Sequence, residues 1–111
     1  MNTDRNRKIE EQVKEVVAKL IERESNKSAM ITVTNVELQD HGRSAMIYLS
    51  VLPESGEDSA INFLKRKRPE MREAIKKQLN IRTIPFLDVQ IDIGQKALHT
   101  IETLLKKGDE L

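Results

Sequence analysis

The stretch KRKRPEMREAIKKQLNIRTIPFLDVQIDI, residues 65–93, decides the fold. It opens with a basic helical segment that meets Pro69. Because a proline inside a helix removes one backbone donor and clashes with the preceding turn, the helix must kink or restart there. A Leu-x-Ile-Arg-x-x-Pro connector over residues 79–85 follows. The stretch ends in a strand whose apolar residues alternate with polar ones, the pattern of a strand buried on one face. These apolar residues are Leu87, Val89, Ile91 and Ile93.

Toward the N-terminus, the sequence predicts one helix and two strands. Apolar residues recur with the helical period from residue 4 to about residue 25, which predicts an amphipathic helix. Met30–Gln39 and Ser44–Leu52 are typical of strands and are separated by a turn that contains Gly42, so they should pair as a hairpin. The apolar parity changes at Asn35, which indicates a bulge in the first strand.

Toward the C-terminus, Gly94 ends the last strand, and a short helix is expected over residues 95–107. Its apolar residues are expected to face inward; they are Leu98, Ile101, Leu104 and Leu105. The order α-β-β-α-α-β-α predicts an α+β architecture, with a three-stranded sheet packed on helices and a kinked central helix. We expect one domain over residues 1–111, with a core of about residues 5–107 and a frayed tail at residues 108–111.

Composition excludes several classes of protein and site. The chain of 111 residues has no Cys, which excludes disulfides, thiol chemistry and cysteine-ligated zinc. It opens without an apolar signal segment, and it contains no apolar run of the roughly 18 residues that a transmembrane helix needs. We therefore expect a soluble, cytoplasmic protein with no membrane partner.

Positive charge is concentrated on the central helix. Residues 61–82 contain eight basic and two acidic residues, whereas the whole chain has a formal net charge of +1. A basic patch of this kind is typical of polyanion binding, and we predict that it contacts RNA phosphates; a solvated helix face is the alternative. The candidate RNA-binding residues are Lys65, Arg66, Lys67, Arg68, Arg72, Lys76, Lys77 and Arg82. Four of them would form one stripe if the helix is roughly continuous: Lys65, Arg68, Arg72 and Lys76.

Two features bear on how RNA would be recognised. The chain has one Tyr, two Phe and no Trp, so base stacking in the manner of an RRM is not expected, and recognition should be of backbone and shape. Arg82, beside the connector, has three open roles: a phosphate contact, a cap on the preceding helix, or an ion pair with Asp88.

No residue pattern indicates catalysis or a cofactor. His41 and His99 are the only histidines and lie far apart in sequence, which does not favour a shared metal site. Asp88 and Asp92 share a strand face, but alternating outward polar residues are the ordinary interpretation. The chain has no nucleophile elbow, no phosphate-cradling glycine loop and no HExxH motif. We expect no enzymatic activity, no cofactor, no metal and no small-molecule substrate.

The element order and several motifs resemble a known family. An α-β-β-α-α-β order is that of a type II KH domain. The motif over residues 79–92, together with AMIYLSV at residues 45–51 and the opening Arg7-Lys8-Ile9, is similar to the ribosome-binding factor A family over about residues 5–107. The resemblance implies a KH-like fold and a non-catalytic assembly factor. Such a factor binds 16S rRNA in the immature 30S ribosomal subunit, assists late processing of its 5′ region and is associated with growth in the cold.

One departure from the family concerns the central break. The family has Ala-x-Gly there, where other KH domains carry a Gly-x-x-Gly loop; this chain has Lys67-Arg68-Pro69 and no Gly-x-x-Gly. Proline retains a break, but the backbone cannot come as close to RNA as glycine would allow. Two other functions stay open: a KH-like RNA-binding protein outside ribosome assembly, and a protein–protein adaptor with a basic helix. We expect a monomer.

Overall fold

The computed structural model describes the backbone of residues 4–109 and, except at 99 and 106–109, their side chains. The helices and strands are α1 (Asp4–Glu24), β1 (Met30–Gln39), β2 (Ser44–Leu52), α2 (Glu57–Arg66), α3 (Arg68–Gln78), β3 (Phe86–Ile91) and α4 (Ile93–Asp109). The predicted α+β order and the hairpin of β1 and β2 are confirmed.

The three strands form one sheet in the order β1-β2-β3, with β1 and β2 antiparallel and β2 and β3 parallel. The predicted bulge lies between Val33 and Asn35, so Thr34 is the extra residue. The parallel register pairs Ser44 with Phe86, which places the start of β3 beside the turn of the hairpin. Alternate residues of β2 are buried, as a strand covered on one face requires: Ala45, Ile47, Leu49 and Val51.

Helix α1 contributes an apolar stripe to the core, as its helical period predicts. The stripe is buried and consists of Val13, Val16, Val17, Leu20 and Ile21. A carboxylate is buried beside it: Oε2 of Glu10 accepts a hydrogen bond from the Leu38 backbone N–H at 2.7 Å. Leu38 lies on β1, an edge strand, so this contact provides an acceptor for a backbone donor at the sheet edge.

The central helix restarts rather than bends. Helix α2 ends at Arg66, and the Lys67 N–H donates to the carbonyls of Phe63 and Leu64 at 3.2 and 3.1 Å. Helix α3 begins at Arg68, so Pro69 lies in its first turn. Backbone donors in a first turn have no partner within the helix, so the missing N–H of proline costs nothing there. The sequence predicted a break at this site, and the structure gives two helices with Lys67 between them.

Helix α4 differs from the expectation. It runs from Ile93 to Asp109, two residues into the segment expected to fray. The expectation that its apolar residues face inward is wrong, because they are between 50% and 65% exposed: Leu98, Ile101, Leu104 and Leu105. The helix-facing side of the sheet is already covered by α1, α2 and α3, so an apolar stripe on the seventh element has no core left to join. No helix in the part of the chain that the structure describes is long and apolar enough to cross a bilayer.

Candidate nucleic-acid interface

The four residues of the predicted basic stripe lie on both sides of the break in the helix, Lys65 on α2 and the other three on α3. Nε of Arg68 donates to the Lys65 carbonyl at 3.1 Å, which joins the last turn of α2 to the first turn of α3. Nη1 of Arg68 lies 3.8 Å from a carboxylate oxygen of Asp88 on β3. Arg72 and Lys76 follow at intervals of four residues, which keeps them on the side of α3 that faces β3 and the connector. We call the surface formed by Lys65, Arg68, Arg72, Lys76 and Arg82 the connector face.

The Arg72 side chain is held in place by hydrogen bonds to the connector. Its Nε donates to the Pro85 carbonyl at 3.1 Å, and its Nη2 donates to the Ile84 carbonyl at 3.2 Å. The guanidinium carbon lies over the Phe86 ring, 4.6 Å from its centroid. Carbonyls are neutral acceptors, so Arg72 keeps its full positive charge while its position is set by the connector.

Arg82 is exposed and lies on the connector itself. It lines a groove of about 240 Å³ together with Arg5, His41 and Gly42. The Asp88 carboxylate, one of the partners considered for Arg82, is approached by Arg68 instead. The position of Arg82 in a basic groove is compatible with the phosphate contact.

The other three candidate residues lie on the opposite side, toward α1, among carboxylates. Lys67 pairs with Glu24 at 3.0 Å and with Glu70 at 3.3 Å. The hydrogen bond to Glu24 is the main cause that raises the pKa of Lys67, and the same bond lowers the pKa of Glu24. Arg66 shares a groove with Glu24, and Lys77 shares another with acidic residues of α3. The eight candidates therefore divide into a connector group of five and an α1 group of three, in which Lys67 is ion-paired with two glutamates and Arg66 and Lys77 share grooves with glutamates.

The fold adds three residues that were not among the eight candidates. Arg5 on α1, Arg43 after the hairpin turn and Phe86 at the start of β3 all come to the connector end of the sheet. The Phe86 N–H donates to the Arg43 carbonyl at 2.8 Å. The signal that could have found them is the parallel register of β2 and β3, because that register puts the hairpin turn next to the connector.

The polar groups considered for a metal have other contacts. Asp92 accepts a hydrogen bond from the Thr34 hydroxyl, which is the main cause that lowers the pKa of Asp92, and from the Gln95 N–H at 2.9 Å, so it caps α4. Asp88 lies beside Arg68. Across the described residues, no group of three or more His, Cys, Asp or Glu side chains is placed to hold a metal ion.

Comparison with known proteins gives one consistent result. The family model described as ribosome-binding factor A matches residues 5–105. A ribosome-binding factor A from Clostridioides difficile is 26% identical over 110 residues, covering 96% of this chain and 86% of that protein. The crystal structure of the Thermus thermophilus ribosome-binding factor A superposes with a TM-score of 0.69 at 23% identity, over 78% of this chain and 94% of that one. A homology model of the T. thermophilus factor, fitted into the cryo-EM map of a 30S–RbfA complex, has a TM-score of 0.62 at 24% identity, over 75% of this chain and 90% of that one.

Proposed function

Because this chain belongs to the ribosome-binding factor A family, we propose that it binds the immature small ribosomal subunit and assists its maturation. The T. thermophilus factor with the same fold has been fitted into a map of a 30S complex, which supports the small subunit as the partner. The role follows the family and not the fold alone, since KH-like folds serve many RNA ligands.

The observation that carries the proposed RNA contact is the separation of charge around α3. The connector group contains five basic residues, and among the described residues its one ion-pair partner is Asp88, which lies beside Arg68. In the α1 group, Glu24 and Glu70 lie within hydrogen-bonding distance of Lys67, and Arg66 and Lys77 share grooves with glutamates. Phosphates gain most where the cations have no acidic partner, because an existing ion pair would have to be broken or shared. The connector face is therefore the surface that we propose for the rRNA backbone.

The proposed mechanism is steric and conformational, without catalysis. Arginine and lysine contacts to phosphates fix position and orientation but carry little sequence information. A rigid surface of this kind can hold an rRNA segment in an immature arrangement until the factor is released. We propose that the chain acts as a cytoplasmic monomer without cofactor, and that its absence delays processing of the 5′ region of 16S rRNA, most strongly in the cold.

The test of the proposed function is a deletion strain of the source organism. We expect small subunits to accumulate precursor 16S rRNA with an unprocessed 5′ end, and plasmid-borne protein to restore processing and to sediment with the small-subunit fraction. If the protein sediments with small RNAs or tRNA, or if rRNA processing is normal in the deletion strain, it acts outside ribosome assembly. Association with a protein complex that survives nuclease treatment would instead favour the adaptor function.

A further inference from the structure

An exposed aromatic ring lies on the connector face. Phe86 is the first residue of β3, and it is 68% exposed. Exposure by itself means little, since single apolar residues on a protein surface are ordinary. Phe86 is distinguished by the way in which it is held and by the charges around it.

The backbone and the ring of Phe86 are both held in place by neighbouring residues. Its N–H donates to the Arg43 carbonyl at 2.8 Å, and the residue before it, Pro85, is fully buried. The guanidinium of Arg72 lies over the ring at 4.6 Å from the centroid and is itself held by the carbonyls of Ile84 and Pro85. Arg72 thus occupies one face of the ring, and the large exposed fraction leaves the other face to solvent. Both groups are in place before a ligand arrives, so little further side-chain entropy is lost on binding.

The charges around the ring select the kind of ligand. Besides Arg72, three arginines belong to segments next to Phe86, namely the turn, α3 and the connector. Two of them lie 3.8 Å from a carboxylate each: Arg43 from Asp40, and Arg68 from Asp88. The third, Arg82, lines the basic groove on the other side of Pro85. An apolar peptide would have to desolvate these arginines without neutralising them, which is costly. A planar base with phosphates on both sides satisfies the ring and the cations together.

We infer that Phe86 is a stacking platform for one unpaired RNA base, with Arg72 behind the ring and the neighbouring phosphates on the connector face. This inference rests on the proposed function, because it names the part of the RNA that this surface receives. It also qualifies the expectation from composition: the chain lacks the paired platforms of an RRM, but the fold presents a single one.

The first test uses tryptophan as a reporter. The chain has no Trp, so Phe86→Trp introduces a single indole at the proposed platform. Met30→Trp is the matched control, because Met30 is 69% exposed and is also the first residue of a strand, β1. With a single-stranded RNA 12-mer, we expect quenching of the indole at 86 and none at 30. A 12-base-pair duplex of the same sequence should bind with little quenching at either site. Equal quenching at both positions, or at neither while the single strand binds, would overturn the inference.

The second test measures affinity for immature small subunits purified from the deletion strain. We expect Phe86→Ala to weaken binding about 5- to 150-fold, the range that corresponds to ~1–3 kcal/mol per stacked base. Phe86→Tyr keeps the ring and should bind as the wild type does, with both variants melting at the wild-type temperature. Wild-type affinity of Phe86→Ala would refute stacking while leaving the proposed function intact. If the wild-type protein itself does not bind these subunits, both the proposed function and this inference fail.

Discussion

Neutralising Lys76 and Arg82 should flatten the salt dependence of RNA binding, whereas neutralising Lys77 should not. Lys76 and Lys77 are adjacent, exposed lysines in the last turn of α3. Lys76 follows Arg72 by one turn on the connector face, and Lys77 lines a groove with Glu70 and Glu73. Residue type, exposure and helix position are thus matched, and only the side of the helix differs.

The expected salt dependence follows from the number of connector-face cations that lack an acidic neighbour within 4 Å in the described structure. These cations are Lys65, Arg72, Lys76 and Arg82. Each phosphate neutralised contributes about −0.9 to the slope of log K against log salt for a duplex and about −0.7 for a single strand. Four contacts on a duplex give a slope of about −3.6, so affinity falls about 150-fold between roughly 50 and 200 mM salt. With Lys76→Gln/Arg82→Gln the slope becomes about −1.8, and the fall about 12-fold.

Filter binding of a small-subunit rRNA fragment across a salt series measures these slopes directly. Lys77→Gln should reproduce the wild-type slope. The reasoning is refuted if Lys77→Gln flattens the slope as much as Lys76→Gln/Arg82→Gln does, or if that double variant keeps the wild-type slope.

Three further predictions concern stability. Asp92→Ala removes the α4 cap and should lower the free energy of unfolding by about 1 kcal/mol at neutral pH. The folded-state pKa of Asp92 lies below its ordinary value of 3.8. The stability that the Asp92 carboxylate contributes is therefore complete above that value and is lost as the pH falls through the folded-state pKa. Urea titrations at several pH values should show the unfolding free energies of the wild type and Asp92→Ala converging in acid. Leu64→Ala, at a position with no exposure, should cost about 2–5 kcal/mol in the same titration, and a loss under ~1 kcal/mol would contradict the burial of that side chain. Leu98→Gln/Ile101→Gln should change the unfolding free energy by no more than ~0.5 kcal/mol, since both residues are exposed; a loss above ~2 kcal/mol would mean that α4 packs on the domain.

Local patterns were sufficient for most of the fold. The helical period of α1, the alternation in β3 and the parity change near Asn35 each depend on neighbours within a few residues, and each predicted the observed element. Pro69 marked the break for the same reason, since its effect on a helix is local.

What the sequence could not supply depends on long-range contacts. The amphipathic pattern of α4 identifies an apolar face but not whether another element covers it, and here α1, α2 and α3 already cover the sheet. Lys67 looked like its basic neighbours, yet its partner Glu24 is 43 residues away along the chain. In the sequence, Phe86 is one of several apolar residues near the last strand. The parallel register places it beside Arg43, and the fold places it under Arg72.

The most direct test of the central claim is sedimentation of the protein with immature small subunits through a sucrose cushion. The comparison is between wild type and Lys65→Glu/Lys76→Glu/Arg82→Glu, three exposed connector-face positions whose side chains are not buried in the core. We predict that the wild-type protein pellets with the subunits and that the folded triple variant stays in the supernatant. A triple variant that pellets as the wild type does would contradict the proposed connector-face contact, and a wild-type protein that does not pellet would contradict the proposed function itself.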